Sequence, residues 1–331
     1  MEIQPKPALL KRSLINPEAI RKFAAFSALI IMFVFFSLAS PNFLSFSNVV
    51  GILLATAVNG LLALGATFVI TTAGIDLSVG TVMTFSAVIA GVVITNLGMP
   101  VPVGILAGIG AGSLAGFVNG VVIAKMKIPP FVATLGMLYI ARGLALVISG
   151  LRPIYFTGTP AFSLFAMGSI LGSIIPGFSI PNAVLILFGA AIVASFIMNR
   201  TILGRYTVAL GSNEEATRLS GVNVDMWKIA VYTLAGAFAG LGGVVMASRL
   251  NSAQPALGAG YELDAIAAVV IGGTSLSGGQ GTILGTVIGA FIISTLTNGL
   301  RILSVPQEWQ IVVTGGILIL AVFADTLRRR K

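Results

Sequence analysis

The chain has 331 residues, of which 56% are hydrophobic and only 9% charged, with a formal net charge of +9. It contains no cysteine and no histidine, which excludes thiol nucleophiles, disulfides, haem attachment, the usual Cys/His zinc sites and histidine-based triads. Apolar runs long enough to cross a bilayer recur from Phe23 to Asp325, so the expected fold class is all-α: a polytopic transmembrane helical bundle of about ten spans, with little chain left for a soluble domain.

In chain order the spans are expected at 23–40, 48–72, 77–97, 101–124, 130–149, 181–198, 228–248, 261–274, 281–301 and 308–325. Residues 1–22 form a basic segment before the first span, and 23–325 a single membrane domain interrupted by a loop at 199–227. Residues 326–331 form a basic tail. With the N-terminus in the cytoplasm, fifteen of the nineteen Lys and Arg residues fall on the inner side. These are Lys6, Lys11, Arg12, Arg21, Lys22, Lys125, Lys127, Arg200, Arg205, Arg218, Lys228 and the run Arg328–Lys331. The positive-inside rule then places both termini in the cytoplasm. The same distribution argues against nucleic acid, because the basic residues flank apolar spans instead of forming one stripe. The first forty residues also resemble a signal peptide, ending in Ser37-Leu38-Ala39. Cleavage would reverse the topology that the charges favour, so this run is expected to be a retained helix.

Glycines are spaced for close helix contact. Gly104, Gly108, Gly112, Gly116 and Gly120 repeat every four residues along one face, and Gly281, Gly285 and Gly289 form a second ridge. Gly236, Gly240 and Gly243 make a looser third. Packing within the chain is the expected role, with a dimer seam or sliding surface as the alternative.

Between the second and third spans, Gly74-Ile75-Asp76-Leu77-Ser78-Val79-Gly80 sets a carboxylate at a helix break. Asp76 or Ser78 is expected to cap the following helix; a carboxylate there could alternatively carry protons. A weaker echo, Thr274-Ser275-Leu276-Ser277 followed by Gly281-Thr282, suggests an internal duplication. Arg142 falls inside the fifth span, where a buried guanidinium needs a partner; a structural pair is expected, with direct substrate contact as the alternative. Residues 150–180 are apolar but broken by glycines and Pro176, which suggests a re-entrant or surface-lying segment.

The loop at 199–227 is the most polar stretch between spans. Ser212 or Asn213 can cap a short helix through Glu214–Ser220, with the two glutamates in its first turn and Gly221 ending it. Farther along, Glu262 and Asp264 open the eighth span, where acids complement the helix dipole. Leu276-Ser277-Gly278-Gly279-Gln280 spells the signature of ATP-binding-cassette nucleotidase domains. Such domains also need a GxxxxGK phosphate loop, and no Gly-Lys pair exists here, so the run reads as a tight connection between helices.

Taken together, these segments resemble the permease subunits of bacterial ATP-binding-cassette importers for monosaccharides, the group of ribose, xylose, arabinose and galactose permeases. The resemblance rests on Gly74–Gly80, on Pro130–Met137 with Tyr139 and Arg142-Gly143, and on Gly204-Arg205 with Asn213–Gly221. It rests also on Tyr261–Asp264 running into Gly272-Gly273-Thr274 and Gly278–Gly289. It implies a bacterial inner-membrane protein without catalysis of its own, binding no cofactor or metal, and powered by ATP in a separate ATPase subunit. It implies as partners that ATPase, a periplasmic sugar-binding protein and a second permease chain, identical or related. The coupling positions it implies are Asn213, Glu215, Ala216, Arg218 and Gly221, while Glu214 and Thr217 stand where the family pattern has proline and alanine. A sugar path of scattered polar groups would draw on Asn59, Thr134 and Asn298 by residue type and position, with Phe131 stacking on a sugar face and Asp76 nearby. The competing reading is an ion-coupled secondary transporter relying on Asp76 and Asp264. An intramembrane enzyme would need clustered nucleophiles, acids or metal ligands, and the sequence offers none.

Overall fold

A computed structural model describes residues 17–175, 177 and 179–329. The helices are α1 (Pro17–Ala39), α2 (Phe46–Thr71), α3 (Val79–Gly91), α4 (Val101–Lys125), α5 (Pro130–Ile148), α6 (Pro160–Met167) and α7 (Ile170–Ile174). They continue with α8 (Asn182–Arg200), α9 (Ile202–Ser212), α10 (Glu214–Leu219), α11 (Val224–Leu250), α12 (Tyr261–Ile271), α13 (Ile283–Ile302) and α14 (Gln307–Arg329). A π-helical turn, Val92–Asn96, extends α3. Seven of these elements are long and apolar enough to cross a membrane: α2, α3 with its π turn, α4, α5, α8, α11 and α13. Shorter apolar runs, Phe23–Ala39 and Gln307–Phe323, lie in α1 and α14. The protein is therefore a polytopic helical membrane protein.

Local chemistry sets the ends of these helices. Pro102 and Pro130 occupy first-turn positions of α4 and α5, where proline's missing N–H costs nothing. The α2 helix ends in a left-handed turn at Ala73, with Ala73 N–H donating to the Ile70 carbonyl and Gly74 N–H to that of Val69. The α12 helix leaves through the same pattern, Gly273 N–H to Val270 and Thr274 N–H to Val269, so the two segments that echo each other in sequence also share a helix exit. From Thr56 to Thr71 every residue of α2 is buried, and α11, α13, α12 and α8 pack around it. Its threonines remain satisfied by bonding within the helix, Thr56 to Ile52 and Thr67 to Ala63, both at 2.8 Å.

The first glycine ridge closes α4 onto α11. A methyl group on Gly112 would run into the Gly236 carbonyl, and one on Gly116 into the Tyr232 carbonyl. On Gly120 it would lie 2.7 Å from Ile229 Cα, and on Gly108 the same distance from a Val244 methyl. Gly104 faces Ile94. The ridge is consumed within the chain and offers no seam to another molecule. Gly285 and Gly289 similarly bring α13 against the Gly272 and Ala268 carbonyls, and Gly281 sits against the Thr71 hydroxyl.

One expectation about the spans needs correction. The eighth span, expected at 261–274, is an 11-residue helix, about 16 Å long at 1.5 Å per residue and so too short for a hydrocarbon core of about 30 Å. The reason lies just upstream: Gly258 meets the Gly80 carbonyl and Gly260 takes φ +96°, so the chain enters the bundle as loop and α12 begins beside the start of α3. The apolar run of α1, Phe23–Ala39, lies where the first span is expected. Residues 1–16 and 330–331, which carry several of the terminal basic residues, lie outside the described residues, as does Pro176.

Ion pairs and backbone contacts gather the C-terminal ends of α2, α4 and α12, the N-terminal ends of α5 and α11, and the whole of α9 and α10 at one end of the bundle. Lys125, Lys127, Arg200, Arg205, Arg218 and Lys228 sit there, so it is called the basic end. At the opposite end a two-residue antiparallel pairing, Ile154 with Ala253 and Tyr155 with Ser252, ties the 150–180 segment to the chain after α11. That segment lies across the end of the bundle. Phe162 and Ala166 are buried, the Phe156 and Phe162 rings pack at a tilt of 41° with centroids 4.2 Å apart, and the Ser248 hydroxyl donates to the Phe162 carbonyl at 2.6 Å.

Candidate coupling surface and pathway residues

The polar loop between α8 and α11 folds into two helices, not the one expected. Thr201 caps α9 by accepting from Gly204 N–H at 3.4 Å. Asn213 ends α9 and caps α10, its Oδ1 accepting from Ala216 N–H at 2.9 Å. Gly221, at φ +82°, follows the last turn. Thr217 turns inward and donates to the Asn213 carbonyl at 2.8 Å. Asn213, Glu215, Ala216, Arg218 and Gly221 are all exposed, so the positions implied by the resemblance form one solvent-facing surface.

That surface contains a residue the sequence reading passed over. Leu219 is 83% exposed at the tip of α10, and a leucine alone on a short polar helix was the signal that could have found it. Glu214, one of the two positions that depart from the family pattern, points back toward the bundle. Its carboxylate accepts from Lys228 Nζ at 2.7 Å and from Arg218 at 3.1 Å, which fastens α10 to the first turns of α11. Tyr206 on α9 packs on Trp227 with ring centroids 4.9 Å apart. Asp225, also on α11, pairs with Lys125 at 3.3 Å and Lys127 at 2.8 Å.

In the α2–α3 loop Gly74, Asp76 and Ser78 are buried, while Ala73 and Ile75 are exposed. Asp76 Oδ1 accepts from Ser78 N–H at 2.8 Å and from the Ser78 hydroxyl at 2.6 Å, and Asn119 on α4 donates to that hydroxyl at 3.0 Å. Ser78 makes no side-chain cap to α3, so the capping role expected of Asp76 or Ser78 is corrected: the carboxylate holds the turn that precedes the helix. The Tyr232 hydroxyl, buried and without a partner among the described residues, lies against Gly74. Glu262 accepts from Gly260 N–H at 3.1 Å, at the entry of its own helix.

The five expected pathway residues fall into two neighbourhoods. Thr134 is buried and donates to the Pro130 carbonyl at 2.9 Å and the Ile75 carbonyl at 3.3 Å, which joins α5 to the Asp76 loop. Phe131, one turn away, is 53% exposed. Asn59 and Asn298 lie instead between α2 and α13, where Asn59 donates to Ser294 at 3.4 Å and Asn298 to Asn48 at 2.9 Å. The space beside Asp76 and Asn119 is closed, and the cavity lined by Met83, Thr84, Met246 and Gln254 measures ~10 Å³, about one water. Neither holds a sugar. Arg142 was expected to be buried and paired; it is exposed on α5 with no ion pair among the described residues. Among the described residues no group of three Asp or Glu side chains could hold a metal.

The described residues form a bundle of apolar helices with one exposed polar helix, α10, at its basic end, the architecture of a polytopic membrane protein. The family model for the permease component of the branched-chain amino acid transport system matches residues 48–322, and the chain belongs to that family. It is 41% identical over 305 residues to the ribose import permease protein RbsC of Escherichia coli K12, covering 91% of this chain and 92% of that one. It is 43% identical over 307 residues to RbsC of Bacillus subtilis 168, covering 92% of each. It is 35% identical over 358 aligned positions to the xylose transport system permease protein XylH of Haemophilus influenzae, covering 92% and 96%. The resemblance to permeases of sugar importers thus extends over nearly the whole chain. No solved structure matches.

Proposed function

We propose that this chain is the membrane-spanning subunit of an ATP-binding-cassette importer that carries a monosaccharide across the bacterial inner membrane. The observation that carries the reading is its likeness to ribose and xylose permeases along nine tenths of its length. In this reading α10 docks on a separate ATPase through Asn213, Glu215, Ala216, Arg218 and Gly221, with Leu219 at the tip. ATP is bound and spent by that partner. A periplasmic binding protein delivers sugar at the opposite end, and a second permease chain completes the pathway. The concentration of Lys and Arg at the α10 end supports a cytoplasmic assignment for it. The alternating directions of α1 to α14 support ten crossings with both termini inside, the eighth made by loop and half-helix together.

An importer of this kind needs only weak contacts with its cargo, because the binding protein supplies selectivity. Tight internal packing suits that role: the path would open between two chains as the bundles rock, driven from α10. The test is uptake of labelled ribose and xylose into vesicles carrying this chain, its ATPase and its binding protein, with ATP and an ionophore varied independently. Uptake that requires ATP and both partners, and survives the ionophore, is expected. Uptake by this chain alone that collapses with the ion gradient would overturn the reading.

A further inference from the structure

The Leu276–Gln280 run, which has no role in nucleotide chemistry here, occupies a mechanically exposed position. It lies in the loop between α12 and α13, and Gly278 and Gly279 both take left-handed conformations, at φ +81° and +75°. This loop is braced internally: Ser275 N–H donates to the Gln280 carbonyl at 3.1 Å, Gly278 N–H to Ser275 at 3.0 Å and Thr282 N–H to the Thr274 hydroxyl at 3.3 Å. Gly279 N–H then donates to the Thr71 carbonyl at the end of α2, at 2.9 Å. Two loops that break the bundle's helices are joined by backbone.

A third backbone enters the same point. Gly211, in the last turn of α9, leaves no room for a side chain: a methyl group there would run into the Thr71 carbonyl and come within 2.5 Å of the Gly279 nitrogen. On Gly278 a methyl group would lie 2.8 Å from both the Gly211 carbonyl and the Ala73 nitrogen. On Gly279 it would lie 2.7 Å from the Ser212 hydroxyl. Gly211 stands two residues before Asn213, the cap of α10, and two residues span at most about 7 Å of chain. Backbones in direct contact cannot slide or compress without moving one another, since close-packed interiors transmit strain.

We propose that Gly211, Gly278 and Gly279 form a rigid backbone junction through which displacement of α10 reaches the end of α2 and the α12–α13 loop together. These are positioning residues, and the proposal rests on α10 being the helix that the ATPase moves. The α2 helix carries Asn59, and the α12 half-helix carries Glu262 and Asp264, so the junction would pass one movement to the continuous central helix and to the short one beside it.

The test uses the complete complex of permease, ATPase and binding protein with labelled ribose and xylose. Gly211→Ala should leave ATP hydrolysis within about twofold of the parent while uptake falls about tenfold, within the usual range of coupling effects. Because the chain has no cysteine of its own, the double variant Ser212→Cys with Gly279→Cys reports on the same junction without background. Because Gly279→Cys adds a side chain at φ +75° against Ser212, the reduced pair should itself transport below the parent, and a rigid junction predicts that oxidation, which ties the two backbones together, lowers that uptake no further. Normal uptake per ATP in Gly211→Ala, or uptake abolished on oxidation and restored by reductant, would each overturn the proposal. Should Gly211→Ala not assemble, the oxidised and reduced states of the cysteine pair decide alone. Glu215→Lys, placed on the outer surface of α10, separates the two layers of argument. If it leaves uptake normal the docking role of α10 fails, whereas an effect there with none at the junction removes only this inference.

Discussion

Asp76 holds its loop through a single oxygen. Oδ1 receives both the N–H and the hydroxyl of Ser78, and Asn119 completes the chain of bonds from α4. Asparagine can present the same acceptor, so Asp76→Asn should cost less than about 1 kcal/mol, whereas Asp76→Ala strands a buried N–H and should cost about 1–3 kcal/mol. Thermal unfolding in detergent measures both. The same pair of variants separates the transport readings: an ion-coupled carrier would lose uptake in Asp76→Asn, and an ATP-driven one should keep it. A carboxylate between glycines was visible in the sequence as a special position. The brace on its loop was not, because Asn119 is 41 residues from Ser78 and reaches that hydroxyl only once the glycine ridge has brought α4 into the bundle. Arg142 was misread for the complementary reason: apolar neighbours in sequence suggested burial, but they line an outward face of α5.

At the scale of elements, the two glycine ridges and α10 were legible because each is a local pattern with a fixed period or a cap. Gly112→Ala and Gly116→Ala should each destabilise the protein by about 1–3 kcal/mol, because the added methyl meets a carbonyl that cannot move aside. Gly110→Ala on the same helix, where nothing lies within 4 Å, should be neutral or slightly stabilising by helix propensity. Melting temperatures of the three variants give the comparison. The α9 helix and the shortened α12 were not legible, since both are shaped by backbone contacts between distant glycines, Gly211 with Gly279 and Gly258 with Gly80. Glu214 shows how an element is fastened. Its pairs with Lys228 and Arg218 are partly exposed and worth about 0–1 kcal/mol in stability. Glu214→Lys should therefore fold normally but loosen α10 from α11 and lower uptake, and adding Lys228→Glu should recover a large part of it. Equal uptake in all three proteins would show that α10 does not act through this link.

For the whole molecule, composition alone dictated an apolar helical bundle, and the distribution of nineteen basic residues suggested its orientation. What composition could not reveal is that α12 is a short helix of 11 residues entered through a loop, so irregular backbone packs into the bundle after α11. Such backbone is tolerated in a membrane only where protein or water covers it; Gly80 and Thr84 cover Gly258, while Gly260 is exposed and its N–H is taken by the Glu262 carboxylate. Orientation follows from where the chain ends each crossing, and it can be read directly because any introduced cysteine is the sole thiol. Gly98→Cys and Arg152→Cys lie exposed at one end of the bundle, Glu215→Cys and Leu219→Cys exposed at the other. A membrane-impermeant maleimide applied to intact spheroplasts should label the first pair and reach the second only after lysis. The reverse pattern would place α10 outside the cell, away from any ATPase, and would remove the physical basis for reading this chain as an ATP-driven importer.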